Sequence, residues 1–286
     1  MDPKITELYD EYRKGSLNRR DFMKKLTIIA GGTAAAYSLL PMIEANSAMA
    51  AGPENHQTGI FTEMISYPGK TGEVKAFLAR PSEKRKYPAV VVIHENRALQ
   101  PHIRDVTERM AAEGFLSMAP DALSPLGGTP ESEDEARTKM GELDMGSTTE
   151  DFIAAVKYLK THPLSTGKVG CTGFCWGGAM VNRVAVGAPE LDAAVPYYGT
   201  TPSPEDVPKI KAPVMAHYAG NDARINAGIP AFEEALKKAG IDYRIFIYEG
   251  ASHAFNNDSN PERYHEEAAK LAWERTIAFF RDKLKI

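Results

Sequence analysis

Lys168-Val169-Gly170-Cys171-Thr172-Gly173-Phe174-Cys175-Trp176-Gly177-Gly178-Ala179 is the stretch on which the fold of this chain turns. Residues 168–174 read as a strand and 176–186 as a helix, which leaves Cys175 on the turn between them. Gly173 and Gly177 flank it in a G-x-C-x-G pattern. A nucleophile at the apex of a sharp strand-to-helix turn has a strained backbone. Residues two before and two after it come too close to tolerate side chains. The two glycines answer that demand. The Cys175 sulfur would then stand above the C-terminal edge of a sheet, at the positive end of a helix, where thiolate is favoured over thiol. The backbone N–H of Trp176 would supply half of an oxyanion hole. By itself the segment is also compatible with a tight turn around a small buried thiol, because cysteine is a common core residue.

In the α/β-hydrolase fold such a nucleophile is followed by an acid and then a histidine, on turns after later strands. Residues 213–218 read as a strand, and Ala219-Gly220-Asn221-Asp222 as the turn that follows. Residues 243–248 read as the next strand, and Glu249-Gly250-Ala251-Ser252-His253-Ala254-Phe255 as its turn. Asp222 or His253 alone would be an ordinary loop residue. With Cys175 they stand in the order nucleophile, acid, base, past strand ends where open α/β sheets keep their ligands. In this reading His253 takes the thiol proton and later delivers it to the leaving alkoxide. Asp222 fixes the imidazole tautomer, and Cys175 forms a thioester that water hydrolyses.

Further upstream, residues 60–66 and 73–79 alternate apolar and polar around Pro68-Gly69-Lys70-Thr71-Gly72, which predicts a β-hairpin. Ala89-Val90-Val91-Val92-Ile93-His94 is a continuous run suited to a strand buried on both faces. Further strands are predicted at 115–119 and 193–198, and further helices at 102–113, 131–143, 150–161, 229–239 and 262–284. Strand and helix alternate at crossover spacing. That predicts a mostly parallel sheet covered by helices on both faces, the α/β-hydrolase architecture.

Of the 286 residues, 43% are hydrophobic and 25% charged, values that exclude disorder, collagen and a multi-span membrane protein. A net charge of −4 gives no electrostatic reason for a nucleic-acid partner. The 2 cysteines, Cys171 and Cys175, are too few for a disulfide scaffold, and a bridge between them would distort strand and turn. Their C-x-x-x-C spacing is not that of a thiol redox motif, and no Cys/His cluster at zinc-ligand spacing accompanies them. No metal or organic cofactor is expected, since nucleophile, base and oxyanion hole are all protein groups.

The chain opens differently. Asn18-Arg19-Arg20-Asp21-Phe22-Met23-Lys24 precedes a weakly apolar stretch at 26–40, and Ala45-Asn46-Ser47-Ala48-Met49-Ala50-Ala51 gathers small residues. That is the order of a signal peptide, and the arginine pair before Phe22 resembles a twin-arginine export signal. The expected division is a signal peptide over 1–50, cleaved at Ala48-Met49-Ala50, and one hydrolase domain over 51–286. The apolar stretch is too short for a stable membrane span of ~20 residues. The expected partners are the twin-arginine export machinery and a small-molecule ester or lactone, and the expected location is periplasmic or secreted. If the arginine pair is an accident of an amphipathic helix, the protein is cytoplasmic.

Gly173-Phe174-Cys175-Trp176-Gly177-Gly178, Pro120-Asp121, Gly167-Lys168-Val169-Gly170 and His253-Ala254-Phe255 together resemble the dienelactone hydrolases (carboxymethylenebutenolidases). The likeness runs from about residue 60 to the C-terminus. It implies a hydrolase of small esters or lactones, and a glutamate after the first long buried strand that helps ionise the nucleophile. Glu95, in His94-Glu95-Asn96, occupies that place. The resemblance further implies a resting thiol that is largely neutral, and the backbone N–H of Asn96 as second oxyanion donor.

Family members acting on dienelactone grip its carboxylate with arginines, one of them shortly after the catalytic histidine. Here Ala254-Phe255-Asn256-Asn257-Asp258 holds none, and Arg137 is the candidate for the other. Asn256 and Asn257 point instead to a neutral, hydrogen-bonding ligand. Trp176, Tyr197, Tyr198 and Tyr218 are candidates to line the pocket, with core packing the competing reading for Tyr197 and Tyr218. Two rival functions stay open: a peptide or thioester hydrolase of the same fold, and a non-catalytic binding protein on a hydrolase scaffold. The complete set of Cys175, Asp222 and His253 speaks against the latter, although fold alone never decides function.

Overall fold

The computed structural model describes residues 3–13, 17, 19–32, 35–36, 39 and 59–285. By compactness the chain divides into Met1–Thr62 and Glu63–Ile286. In the first unit, helices α1 (Pro3–Arg13) and α2 (Arg19–Ala30) share a small core. Phe22 and Leu26, one turn apart on α2, bury with Ile5, Leu8 and Tyr9. The Phe22 ring stacks on Tyr12, centroids 4.6 Å apart. Helix α2 thus begins at the arginine pair and runs into the apolar stretch; the expected cleavage site at 48–50 lies outside the described residues. Among the described residues no helix is long and apolar enough to cross a membrane.

The strands are β1 (Ile60–Pro68), β2 (Glu73–Pro81), β3 (Tyr87–Ile93), β4 (Leu116–Pro120), β5 (Ser165–Phe174), β6 (Ala193–Tyr197), β7 (Val214–Ala219) and β8 (Tyr243–Tyr248). They form one sheet in the order β1-β2-β4-β3-β5-β6-β7-β8. Strand β2 runs antiparallel to β4, and every pair from β4 through β8 is parallel. Between the strands lie α3 (Pro101–Ala112), α4 (Glu133–Met140), α5 (Met145–Thr161), α6 (Trp176–Gly187), α7 (Ala223–Asn226) and α8 (Ile229–Ala239), with α9 (Glu266–Leu284) last. This is the predicted α/β-hydrolase fold. Two departures from the expected elements have local reasons. Helix α5 starts before the predicted 150 because Asp144 caps it, Oδ1 accepting from the Ser147 N–H at 2.8 Å. Helix α7 is too short to show a period, and Asp222 caps it.

Strand β5 explains how both faces are covered. Successive strand residues point to opposite faces. A Cβ on Gly170 would meet Phe280 of α9 at 2.6 Å, whereas Cys171 packs in the core with Phe152, Val156, Val181 and Val184 of α5 and α6. All seven residues of β3 are buried, as its unbroken apolar run predicted. The ladders keep the strand ends level, with Ile93 beside Gly173 and Phe174 beside Tyr197. The segments leaving β3, β5, β6, β7 and β8 therefore turn on one edge, and they carry Glu95, Cys175, Tyr198, Asp222 and His253. Strain gathers there too. Among the described residues the non-glycine positions with positive φ are Ala98, Cys175, Tyr198, Ala254 and Lys285, and all but the last lie on these segments.

Candidate active site

Cys175 sits between β5 and α6 with φ 56° and ψ −113°, a conformation costly for any side chain. The neighbouring glycines make it possible. A Cβ on Gly173 would lie 2.6 Å from the Gly177 carbonyl oxygen, and one on Gly177 would strike the carbonyl oxygens of Ile93 and His94. The elbow is therefore packed against the end of β3, which brings Cys175 toward the segment that carries Glu95.

Asp222 and His253, 31 residues apart, meet across the ends of β7 and β8. The His253 Nδ1–H donates to Asp222 Oδ2 at 2.5 Å, which leaves Nε2 as the basic nitrogen. The other carboxylate oxygen caps α7, accepting from the Ile225 N–H at 3.3 Å. The carboxylate is thus oriented from both sides. The Tyr198 ring packs on the imidazole, centroids 5.1 Å apart. In this state, among the described residues, no hydrogen bond joins the Cys175 sulfur to that imidazole.

Burial pushes the Cys175 thiol up to about 11, and the Glu95 charge adds to it. The Trp176 N–H and the Arg224 guanidinium pull the other way, and less strongly. The helix N-terminus expected to favour thiolate is outweighed by burial and the Glu95 charge, which favour the neutral thiol. Cys171 is fully buried, and its thiol is pushed higher still by burial.

Glu95 is half-buried, with one oxygen held and one not. Asn257 Nδ2 donates to Oε2 at 2.6 Å, while Oε1 is buried without a partner. Asn257 is itself fixed, because its Oδ1 accepts from the N–H of Ser259 at 3.0 Å and from its hydroxyl at 2.5 Å. The residue expected to contact substrate is thereby committed to Glu95. His94 holds the Glu95 backbone. Its Nε2 accepts from the Ala122 N–H at 3.1 Å, so Nδ1 carries the proton and donates to the Glu95 carbonyl at 2.7 Å. Burial holds His94 below the usual imidazole range, and its ring stacks on Trp176 at 5.4 Å. Asp121 organises the loop on the other side, accepting from the N–H groups of Leu123 and Thr129 and from the Thr129 hydroxyl.

Not all predicted residues converge. Arg137 is exposed on α4, and no hydrogen bond or ion pair ties it to the others among the described residues. Asn96 is exposed on the turn after β3. Tyr197, Tyr198 and Tyr218 are fully buried, so in this state they pack the core behind the site and expose no lining surface. Sequence reasoning missed His94, whose role depends on a contact 28 residues away, and Arg224, an exposed residue of α7 whose charge reaches the sulfur. Only the adjacency of His94 to Glu95 offered a signal for the first.

The sequence profile described as "Dienelactone hydrolase family" matches residues 74–284. The chain belongs to the dienelactone hydrolase family. It is 32% identical over 255 residues to a Saccharolobus solfataricus protein described as "Putative carboxymethylenebutenolidase", covering 76% of this chain and 97% of the relative. It is 33% identical to "Protein usf" of Aquifex pyrophilus, covering 78% of this chain and 99% of the relative. The crystal structure of dienelactone hydrolase from Anabaena variabilis superposes with a TM-score of 0.60 at 24% identity, covering 79% of this chain and 99% of that one. Membership in the dienelactone hydrolase family makes the chain a hydrolase, and Glu95, Cys175, Asp222 and His253 all lie inside the matched span.

Proposed function

We propose that the protein cleaves small esters or lactones by a thioester route, with Cys175 as nucleophile, His253 as base and Asp222 as its orienting acid. The observation that carries this reading is the pairing of a strained Cys175 at a glycine-flanked elbow with an Asp222–His253 hydrogen bond of 2.5 Å on the same sheet edge. Substrate binding displaces Glu95 from its resting contact, and rotation of the Cys175 side chain brings the sulfur to Nε2 of His253. The S–H proton passes to the imidazole as sulfur attacks the carbonyl, and the oxyanion is received by the backbone N–H groups of Trp176 and Asn96. The alkoxide leaves with that proton, and water, activated by the same imidazole, releases the acid. Cys175→Ala tests the reading. Turnover of p-nitrophenyl acetate should vanish while the circular dichroism spectrum is kept; retained turnover would remove Cys175 from the mechanism.

The substrate is proposed to be neutral near the reacting carbonyl, since the segment after His253 carries no cation. A second reading is favoured by Arg224, whose charge reaches the sulfur and would suit an acidic substituent. A panel of neutral lactones and their carboxylated analogues separates the two, in wild type and Arg224→Gln. The precursor is proposed to leave the cytoplasm through twin-arginine export machinery, read from Arg19-Arg20-Asp21-Phe22. Replacing both arginines by lysine should leave the protein in the cytoplasm, and processed periplasmic protein from that variant would refute the export reading.

A further inference from the structure

Among the described residues, Oε1 of Glu95, the hydroxyl of Tyr198 and Nδ2 of Asn256 are buried without a hydrogen-bond partner. One is an acceptor and two are donors. They belong to one neighbourhood. Asn257, next in chain to Asn256, holds the other oxygen of Glu95, and the charges of Glu95 and Cys175 both reach Tyr198. The backbone N–H of Asn256 approaches the Tyr198 oxygen without completing a hydrogen bond. Tyr198 is fully buried on a backbone of φ 36°, its ring wedged against His253 and Phe255 at 5.1 and 5.2 Å. An unbonded buried hydroxyl is destabilising, and phenylalanine would fill the same space without it. Such a group persists where another state of the protein uses it.

We propose that Tyr198 is a positioning residue for Glu95, its hydroxyl donating to Oε1 once Cys175 gives up its proton. The S–H bond breaks, the proton goes to Nε2 of His253, and no other covalent bond changes. The inference rests on Cys175 being the nucleophile. The need for it is electrostatic. The Glu95 carboxylate opposes a negative sulfur, and a donor on Oε1 weakens that opposition just as the sulfur becomes negative. Tyr198 can serve because burial first, and then the charges of Glu95 and Cys175, hold its phenol well above the usual range, so it remains a donor.

Tyr198→Phe keeps the ring and removes the hydroxyl. Measured on the full chain, alkylation of Cys175 by iodoacetamide at pH 8 should slow about threefold, since the hydroxyl offsets only part of the Glu95 effect. The kcat for p-nitrophenyl acetate should fall about as much, with KM unchanged and Tm unchanged or higher. In a Glu95→Gln background the same substitution should change neither rate, because the charge it serves is gone. Rates within twofold of wild type, an equal loss in the Glu95→Gln background, or a lowered Tm would each overturn the inference. Cys175→Ala keeps the two claims apart. If that variant still turns over, the nucleophile reading falls. If it is inactive while Tyr198→Phe behaves as wild type, only the role of Tyr198 falls.

Discussion

Glu95→Gln isolates the charge that keeps the proposed nucleophile protonated. An ordinary thiol at 9.0 raised to about 11 is depleted of thiolate about a hundredfold at pH 8. Burial is the largest cause and survives the substitution; the Glu95 charge is the second and does not. Glutamine is nearly isosteric and still offers an oxygen to Asn257 Nδ2, so the change is electrostatic with little repacking. Of the hundredfold depletion, about three- to tenfold should therefore be recovered, the smaller share belonging to the smaller cause. The assay is the second-order rate of alkylation by iodoacetamide between pH 7 and 10, with peptide mapping to separate Cys175 from Cys171. Cys171 is fully buried and should stay unlabelled while the fold is intact. Alkylation of Glu95→Gln at or below the wild-type rate, or a wild-type midpoint at 9 or lower, would refute this account of the resting thiol.

Asp222→Asn keeps an oxygen to cap α7 but no longer fixes the imidazole tautomer, so kcat should drop about 10³- to 10⁴-fold with little change in Tm; a loss under tenfold would detach Asp222 from the chemistry. Gly177→Ala drives a methyl into the carbonyl oxygens of Ile93 and His94, backbone atoms that cannot yield cheaply, so a cost of about 3 kcal/mol and a Tm lower by roughly 6–12 °C are expected in a thermal melt. A melt at the wild-type temperature with full turnover would contradict the packing of the elbow. Burial pushes the His217 imidazole down to about 3, against 6.5 for an ordinary one, so the unfolded chain binds a proton that the native state refuses. Stability from this group is complete above pH 6.5 and is lost as pH falls from there toward 3. Urea denaturation at pH 6.5 and 4.5 should show wild type losing about 2–3 kcal/mol more than His217→Gln, and equal losses would deny His217 its neutral burial.

The fold was legible because its signals are local. The β3 run is apolar without a break, and the elbow compresses strand end, nucleophile and helix start into five residues whose glycines have no other convincing use. Asp222 and His253 were legible by order, since each follows a strand in the sequence expected of the fold. What stayed hidden depends on distance or depth. The Asn257–Glu95 hydrogen bond joins residues 162 apart, and no pattern along the chain announces it. The exposed position of Arg137 follows from the register of α4, in which Ala136 and Met140 take the buried face. The state of the thiol went against the local rule, because a helix N-terminus is visible in sequence whereas burial and a carboxylate from another strand are not.

That reversal has a chemical consequence for a protein proposed to work outside the cytoplasm. A permanently ionised thiol at a strand edge would react with any passing oxidant or electrophile, since the thiolate is the reactive form. Here the free protein keeps Cys175 neutral by burial and by Glu95, and it keeps Glu95 in place through Asn257, which two bonds from Ser259 hold in turn. Activation then requires something that moves Glu95, and in the proposed mechanism only a ligand seated on the same edge does so. In that mechanism the polar groups around the carboxylate act as a latch on the sulfur and tie reactivity to occupancy of the site.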